Sequence, residues 1–338
     1  MLQTKLYSFF RQKCTVTDVI RHDGRFSKIY RCKDSRKQDY AIKTLKKQFD
    51  GYNVGLRKQN MMMELQNGVP ENNLNCVRLI TGFVVSGLWC YLMEYYPMNL
   101  QQAFVENKRS FHIDHVQILS RQLVSAVTIL RNNNIIHSDI KPSHILLNSS
   151  QTRLKLCGFD QATYLQHSNL LPNTGTVNYR APELILGYPA GYGIDVWSTA
   201  LVMYEMATSR KLFPGFYNNN ILYQQLCSLG AIPMEMLMES KFRNAHFKGT
   251  AFMKIIGSKE RILINEIEFN ERLNGTLFQV YTADWGKERD VANKREDKKK
   301  LRAFLELLQN MLVMHPRCRI PIEFVFANPF IYESLDDC

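Results

Sequence analysis

Residues 135–147 of the 338-residue chain read IIHSDIKPSHILL. Two short apolar runs flank a polar loop, the HSD loop, which covers residues 137–144. The loop carries an acidic side chain, Asp139, and a basic one, Lys141, two positions apart. The proline that follows removes a backbone donor and disfavours a helix here. The stretch therefore predicts a loop between two short strands that presents a carboxylate beside an ammonium group.

The flanking sequence differs in character on the two sides of this loop. Residues 115–134 carry apolar side chains at i, i+3, i+4 and i+7 spacing, which predicts a buried helix. Earlier, residues 15–45 contain three runs rich in β-branched and aromatic residues, which predict strands, and residues 54–66 predict a helix. Later, residues 193–208 and 302–313 predict helices. A strand-rich first part thus precedes a helix-rich remainder, which indicates two lobes.

Seven short motifs follow one another in a fixed order. They are GRFSKI (24–29), YAIK (40–43), the HSD loop, GFD (158–160, the GFD segment), GT with APE (175–176 and 181–183), DVWS (195–198) and Arg319. This series resembles the eukaryotic protein-kinase signature set over about residues 15–331. The resemblance implies an α+β, bilobal protein-kinase fold. Such a fold has a small β-rich N-lobe with the αC helix and a larger, mainly helical C-lobe.

The resemblance also divides the chain and narrows the family. It implies an N-terminal extension (1–14), an N-lobe (15–95), a C-lobe (96–331) with an insert at about 240–300, and a C-terminal tail (332–338). The runs LKLC, NYRAPELILG, YGIDVWS and LFPG resemble the CMGC group of kinases. Within that group the chain is most similar to the pre-mRNA-processing-factor-four splicing kinases, neighbours of the DYRK and CLK types.

The resemblance assigns roles to individual residues. In a kinase an aspartate of the catalytic loop orients the substrate hydroxyl, and a lysine on the third strand holds the phosphates. By position, Asp139, Lys141 and Thr176 are the implied catalytic residues, and Glu183 and Arg319 are the pair that ties the activation segment to the C-lobe. The implied ATP-binding residues are Gly24, Ser27, Ile29, Ala41, Lys43, Met93, Glu94, Tyr96 and Leu146.

Other positions depart from the family pattern. Gly158 stands where the DFG aspartate holds magnesium, and His144 stands where the catalytic-loop asparagine does so. Magnesium prefers oxygen ligands, so no metal is expected at these degenerate positions. Asp160 lies two residues past the usual place and could rescue metal binding. Ser138 replaces the arginine that receives an activation-segment phosphate, and residues 161–179 contain no lysine or arginine.

The αC helix shows a further departure. Lys58 occupies the position of the glutamate that pairs with Lys43 in the family. The acidic residue of this helix, Glu64, lies six positions away, about 240° round the helix, and cannot substitute. Two cations at ~4 Å and an effective dielectric constant of 20 repel by about 4 kcal/mol. We therefore expect the helix to be pushed outward.

Two functions follow from these residues, and whether the chain is an enzyme stays open. Loss of the metal-binding groups with retention of the scaffold favours a pseudokinase, which acts by protein interaction and binds ATP without a metal. The alternative is a divergent ATP-dependent serine/threonine kinase, which uses Lys43, Asp139 and a rescued magnesium site. Lys141, two residues after the aspartate, indicates the Ser/Thr class. A nucleic-acid-binding role is disfavoured, because basic and aromatic residues do not interleave.

Composition and charge bear on the partner. The 43 Lys and Arg exceed the 31 Asp and Glu, a net charge of +12, while 45% hydrophobic and 22% charged residues exclude a disordered chain. Residues 1–60 hold 15 Lys or Arg against 5 Asp or Glu, and residues 287–302 hold 8 against 4. This distribution predicts a protein partner with an acidic surface rather than nucleic acid.

The remaining sequence features concern location. No run approaches the ~20 apolar residues that span a bilayer, and no secretory signal is recognisable. The eight cysteines form no CxxC pair, which disfavours a zinc or redox motif. Reduced thiols and no membrane contact together predict an intracellular protein of the cytoplasm or nucleus.

Overall fold

A computed structural model describes residues 14–23, 27–45, 51–70, 73–108, 110–256, 260–264 and 294–332. These residues form two compact units. Unit 1 comprises the described parts of Met1–Asn99 together with Leu146–Asp160. Unit 2 comprises Leu100–Ile145 and the described parts of Gln161–Cys338.

The strands and helices are numbered in chain order. The strands are β1 (Cys14–Asp23), β2 (Ser27–Asp34), β3 (Asp39–Leu45), β4 (Leu79–Val85), β5 (Leu88–Glu94), β6 (Met98–Asn99), β7 (Ile135–Ile136), β8 (Ile145–Leu147), β9 (Leu154–Leu156), β10 (Thr163–Tyr164), β11 (Phe247–Lys248), β12 (Ala251–Ile256) and β13 (Glu260–Ile264). The α-helices are α1 (Gly51–Gln66), α2 (Leu100–Asn107), α3 (Ile113–Asn132), α4 (Pro182–Leu186), α5 (Gly193–Thr208), α6 (Asn218–Leu229), α7 (Met234–Glu239), α8 (Arg243–His246), α9 (Lys294–Met311), α10 (Ile322–Val325) and α11 (Pro329–Tyr332). Short 3₁₀ turns lie at Pro142–His144, Phe159–Gln161, Leu165–His167 and Val177–Tyr179.

Unit 1 is built on a five-stranded antiparallel sheet in the order β1-β2-β3-β5-β4. One face is buried through alternating residues of its strands, among them Val16, Tyr30, Ile42 and Leu92. This alternation fixes the register, since a one-residue slip would turn the apolar set to water. The three strands predicted within residues 15–45 and the helix at 54–66 are confirmed as β1, β2, β3 and α1.

Helix α1 packs on this sheet through specific contacts. The buried Tyr91 hydroxyl donates a hydrogen bond of 3.0 Å to the Gly55 carbonyl oxygen. The Gln66 side chain bonds both backbone groups of Leu79, accepting from its N–H at 2.6 Å and donating to its carbonyl at 3.1 Å. These bonds tie the helix to β4 and β5 of the same unit. The outward displacement expected from Lys58 stays a prediction.

The later segment of unit 1, Leu146–Asp160, leads into the GFD segment. Strands β6, β8 and β9 form a small sheet, in which Asn99 pairs with Leu146. A parallel bridge joins Cys76 to Leu156. Lys155, which is buried, donates to the Leu74 carbonyl oxygen. The GFD segment therefore follows a strand, β9, that is held in place by other residues of unit 1.

Unit 2 is mainly helical, around α3 and α5. Residues Ile194 to Ala207 of α5 are all buried, which explains why apolar residues occur on every side of this helix. Its bounds, Gly193–Thr208, are those predicted from the sequence. With the β-rich unit 1, this arrangement confirms the predicted α+β class.

The region predicted as an insert is described only in part. Strands β11, β12 and β13 form an antiparallel three-stranded sheet, and α9 begins at Lys294. Residues 265–293, and residues 1–13 of the extension predicted at 1–14, lie outside the described residues. Among the helices that are described, none is both long enough and apolar enough to cross a bilayer.

Candidate functional site

The HSD loop is held by a buried carboxylate of α5. The backbone N–H groups of His137 and Ser138 donate to the two oxygens of Asp195, at 2.6 and 2.9 Å. Asp195 is 3% exposed, so these bonds form away from water. The left-handed backbone of Ser138, with φ +69°, allows both N–H groups to point at one carboxylate. Asp139 follows directly, and its position is therefore set by α5.

Asp139, Lys141 and Thr176 form one hydrogen-bonded cluster. The Lys141 ammonium donates to Asp139 Oδ2 and to Thr176 Oγ1, both at 2.8 Å. The hydroxyl and the backbone N–H of Thr176 donate to Asp139 Oδ1 at 2.6 and 2.9 Å. The structure thus brings the three predicted catalytic residues together.

The electrostatics of this cluster favour an ionised Asp139. Burial raises the pKa of Asp139. The charges of His144 and Lys141 and the hydrogen bonds from Lys141 and Thr176 lower the pKa, and together they outweigh the effect of burial. The net pKa lies below the ordinary value. An anionic carboxylate with a fixed orientation can accept a hydrogen bond from a substrate hydroxyl.

His144 contacts the same aspartate by another route. Its Nδ1 lies 2.9 Å from the Asp139 carbonyl oxygen and 3.5 Å from the Asp139 carboxylate. An Nδ1 that donates to this carbonyl must carry the ring proton. The His144 side chain therefore holds the backbone of the HSD loop, in a buried position.

Gly175 sets Thr176 against the HSD loop. Its φ is +71°, and a Cβ atom there would lie 2.4 Å from the Ser138 carbonyl oxygen. Its N–H donates to the Gln161 side chain at 2.9 Å. Only glycine allows the two backbones to approach this closely, so the Thr176–Asp139 bond depends on it.

Replacing Gly175 with alanine should lower the free energy of unfolding by about 3 kcal/mol, because the left-handed backbone penalty and the clash with Ser138 add. The matched control is Gly68→Ala, where φ is +73° and nothing lies within 4 Å of the added Cβ. That control should lose only about 1 kcal/mol. Urea unfolding of both variants measures the difference. Equal losses would contradict a role for the close approach.

Arg180 is a functional residue that the sequence reasoning missed. Its guanidinium donates to the carbonyl oxygens of Asn173, Thr174 and Gly175 at 3.1, 3.0 and 2.6 Å. It also donates to the Asn218 side chain at 2.5 Å. Arg180 thus holds the segment before Thr176 from its C-terminal side. The arginine was visible in the run NYRAPE, but its partners are backbone atoms that no residue pattern marks.

Lys43 and Asp160 form an ion pair in unit 1. Lys43, on β3, is 7% exposed and donates to Asp160 Oδ2. Asp160 lies in the 3₁₀ turn Phe159–Gln161 and keeps 47% of its side chain exposed. The carboxylate that could have rescued a metal site is thereby paired with Lys43.

Lys58 lies within the field of the same carboxylate. Burial lowers the pKa of Lys58, while the charge of Asp160 raises it in part. Asp160 also raises the pKa of the Tyr91 hydroxyl, after a larger effect of burial. The negative charge of Asp160 therefore offsets the repulsion between Lys43 and Lys58 that the sequence predicts. In the family this negative charge comes from the glutamate at the αC position.

The other predicted nucleotide residues of unit 1 lie on or beside its strands. Ala41 of β3 pairs with Met93 of β5, and Ile29 of β2 pairs with Lys43. Glu94 accepts from the Arg78 backbone N–H at 2.7 Å. The others are Tyr96, just after β5, Leu146 on β8, and Ser27, the first residue of β2. Gly24 lies outside the described residues.

The residues present do not fit a magnesium ion. Gly158, with φ +86°, has no side chain to offer. His144 presents nitrogen rather than oxygen, and Asp160 is paired with Lys43. Within the described part of the chain, no group of three or more His, Cys, Asp or Glu residues could hold a metal ion.

Comparison with known proteins gives the relatives of this chain. The sequence model of the family described as "Protein kinase domain" matches residues 22–331. The serine/threonine-protein kinase prp4 of Schizosaccharomyces pombe is 29% identical over 316 residues, which are 92% of this chain and 65% of that protein. The serine/threonine-protein kinase prpf4B of Dictyostelium discoideum is 28% identical over 318 residues, 91% of this chain and 39% of that protein. The dual specificity protein kinase YAK1 homolog of Arabidopsis thaliana is 28% identical over 292 residues, 85% and 29% respectively. The chain thus spans less than two thirds of each of these relatives.

Proposed function

Because the chain belongs to the protein kinase domain family, we propose that it is a member with impaired phosphoryl transfer, a pseudokinase that binds a protein partner and holds ATP without a metal ion. The expected likeness to CMGC kinases of the pre-mRNA-processing-factor-four type, near the DYRK type, is confirmed by the relatives. The family implies ATP as the nucleotide. The absence of transfer is our proposal.

The observation that carries the proposal is the state of the metal-binding positions. Position 158 has no side chain, the His144 Nδ1 lies at the Asp139 carbonyl, and the Asp160 carboxylate is paired with Lys43. Loss of one preorganised electrostatic group lowers a rate by about 10²–10³. Groups that act as a unit do not add, yet one full loss is enough to bring a kinase turnover of about 1–100 per second near the detection limit.

The alternative, a divergent serine/threonine kinase, is favoured by one arrangement. Asp139, Lys141 and Thr176 keep the geometry that orients a substrate hydroxyl. In such a kinase the ionised Asp139 would accept the hydroxyl proton, and Lys141 would stabilise charge beside it. This arrangement supplies the substrate side of the reaction. It does not supply the oxygen ligands that would hold a magnesium ion at the phosphates.

Ligand binding and phosphate transfer separate the two functions. We expect saturating ATP to raise the unfolding midpoint equally in EDTA and in Mg²⁺, with no transfer of labelled γ-phosphate to a serine peptide. At 100 times the Kd the stabilisation is about 2.7 kcal/mol. Stabilisation that requires Mg²⁺, together with transfer that Asp139→Asn abolishes, would establish the alternative instead.

We also propose a partner with an acidic surface, inside the cell in the cytoplasm or nucleus. The basic excess at residues 1–60 and 287–302 supports this chemistry. Part of it lies on described elements, since the partly exposed Lys33 of β2 and the exposed Lys298 of α9 lie within the two segments. Binding that weakens steeply with salt is the expected signature of such an interface.

A further inference from the structure

Three charged side chains interact in unit 1, around the Lys43–Asp160 ion pair. Lys43 donates to the Asp160 carboxylate and is nearly excluded from water, while Asp160 keeps about half of its side chain exposed. The third is Lys58, on α1. We call these three residues the lysine–aspartate cluster. All three belong to unit 1, so the cluster is a property of that unit alone.

The placement of Lys58 follows from the packing of α1. Tyr91 is the cross-strand neighbour of Lys43 on β5, and its hydroxyl donates to the Gly55 carbonyl of α1 at 3.0 Å. Lys58 comes three residues after Gly55 and lies on the same face of the helix. Met62, four residues further on that face, is buried. Lys58 therefore occupies the helix face turned to the sheet, on the side of β5, whose Tyr91 pairs with Lys43.

The cluster has an excess of positive charge. It holds two ammonium groups and one carboxylate, which is bonded to Lys43 and whose charge also acts on Lys58. Arg57 adds a further positive charge that lowers the pKa of Lys58. Charges withdrawn from water act more strongly than charges on the surface. A ligand with two or more negative charges would neutralise this excess. Polyphosphate anions have that charge, and Lys43 is the residue that holds phosphates in this family.

We propose that Lys58 supplies to a bound polyphosphate the positive charge that a magnesium ion supplies in other kinases, and that Asp160 is an internal anion which a phosphate displaces from Lys43. This inference rests on the proposed function, since it explains how the phosphates of ATP could bind without a metal. It assigns opposite roles to the two residues. Lys58 attracts the ligand, whereas Asp160 competes with it.

The competition predicts that Asp160→Asn changes the affinity for ATP in the direction opposite to that expected of a metal ligand. If Asp160 held magnesium, Asp160→Asn would weaken ATP binding and would do so only when the metal is present. If Asp160 competes with phosphate, Asp160→Asn tightens ATP binding in EDTA. The same reasoning predicts that Lys58→Gln weakens binding in EDTA and that Lys58→Arg, which keeps the charge, does not.

The experiment is calorimetric titration of the full chain with ATP and with inorganic tripolyphosphate, each in EDTA and in Mg²⁺. We expect Lys58→Gln to weaken ATP binding in EDTA about tenfold or more, the worth of one hydrogen bond to a charged group. Lys58→Arg should stay within threefold, and Asp160→Asn should bind severalfold tighter. Lys33→Gln is the matched control, because it removes one positive charge from the same sheet at a side chain that is 41% exposed.

The outcomes distinguish a failure of this inference from a failure of the proposed function. Wild-type binding of ATP in EDTA with Lys58→Gln unchanged would overturn the inference and leave the proposed function in place. Weaker binding by Asp160→Asn, seen only with Mg²⁺, would also overturn it. A wild-type chain that binds ATP in neither buffer would contradict the proposed nucleotide binding itself. Tripolyphosphate binding that responds to the variants as ATP does would support the phosphates as the recognised group. Unfolding midpoints of each ligand-free variant establish that the variants are folded.

Discussion

The triple variant Gly158→Asp, His144→Asn, Lys58→Glu should transfer γ-phosphate at least 100-fold faster than the wild-type chain in the presence of Mg²⁺. Each substitution returns a group that lowers the barrier by roughly 3–4 kcal/mol where it acts. The new aspartate and amide supply oxygen ligands, and the Lys58→Glu change offers Lys43 a carboxylate from α1. Position 158 has φ +86°, and aspartate adopts a positive φ more often than most other side chains do. Transfer of labelled phosphate to a serine peptide measures the gain.

The control for this gain is the same triple variant with Asp139→Asn. Asp139 is ionised and held by Lys141 and Thr176, so its carboxylate is already in place to orient a hydroxyl. The added substitution should remove the restored activity. No gain from the triple variant would mean that the defect lies elsewhere than in these three positions.

Replacing Arg319 with methionine should lower the free energy of unfolding by about 3–5 kcal/mol. The Arg319 guanidinium makes two hydrogen bonds to Glu183, at 2.6 and 2.8 Å, and the two side chains are only 1% and 0% exposed. It also donates to the carbonyl oxygens of Gly193 and Val313. Removal of the arginine leaves a buried carboxylate without its counter-ion, which is the costly way to break such a pair.

The matched control is Arg317→Met, two residues away. Arg317 pairs with Glu235 at 3.0 Å, but both side chains are more than half exposed, at 64% and 60%. Exposed pairs contribute about 0–1 kcal/mol, so this variant should unfold close to the wild type. Urea unfolding at neutral pH compares the two variants. Similar losses would show that burial is not what gives the Glu183–Arg319 pair its strength.

The sequence was sufficient for elements whose residues repeat with a clear period. The apolar spacing of α3 predicts a helix at about 115–134, and the structure has it at Ile113–Asn132. The end of α5 at Thr208 agrees with the sequence because Ser209 caps it in the left-handed conformation. Such features depend on neighbours within one turn or one strand. They are therefore readable from local residue types.

The site could be predicted from the sequence only where the chemistry of a residue's own side chain determines its role. Asp139, Lys141 and Thr176 meet because a fixed loop, a buried carboxylate at Asp195 and a glycine at 175 leave them one arrangement. Other contacts could not be predicted, because their partners are backbone oxygens or distant side chains. The carbonyl groups that Arg180 holds have no sequence signature.

The sequence by itself determined which chemical groups the protein has. Glycine at 158 cannot present a carboxylate in any conformation, and histidine at 144 cannot present an oxygen. Only the tertiary structure decided what Asp160 does. Its partner, Lys43, is 117 residues away along the chain. The two meet because β9 is anchored beside the sheet at Cys76 and leads the chain into the GFD segment within unit 1. A contact of that range depends on how the whole unit packs, and no local pattern of residues encodes it.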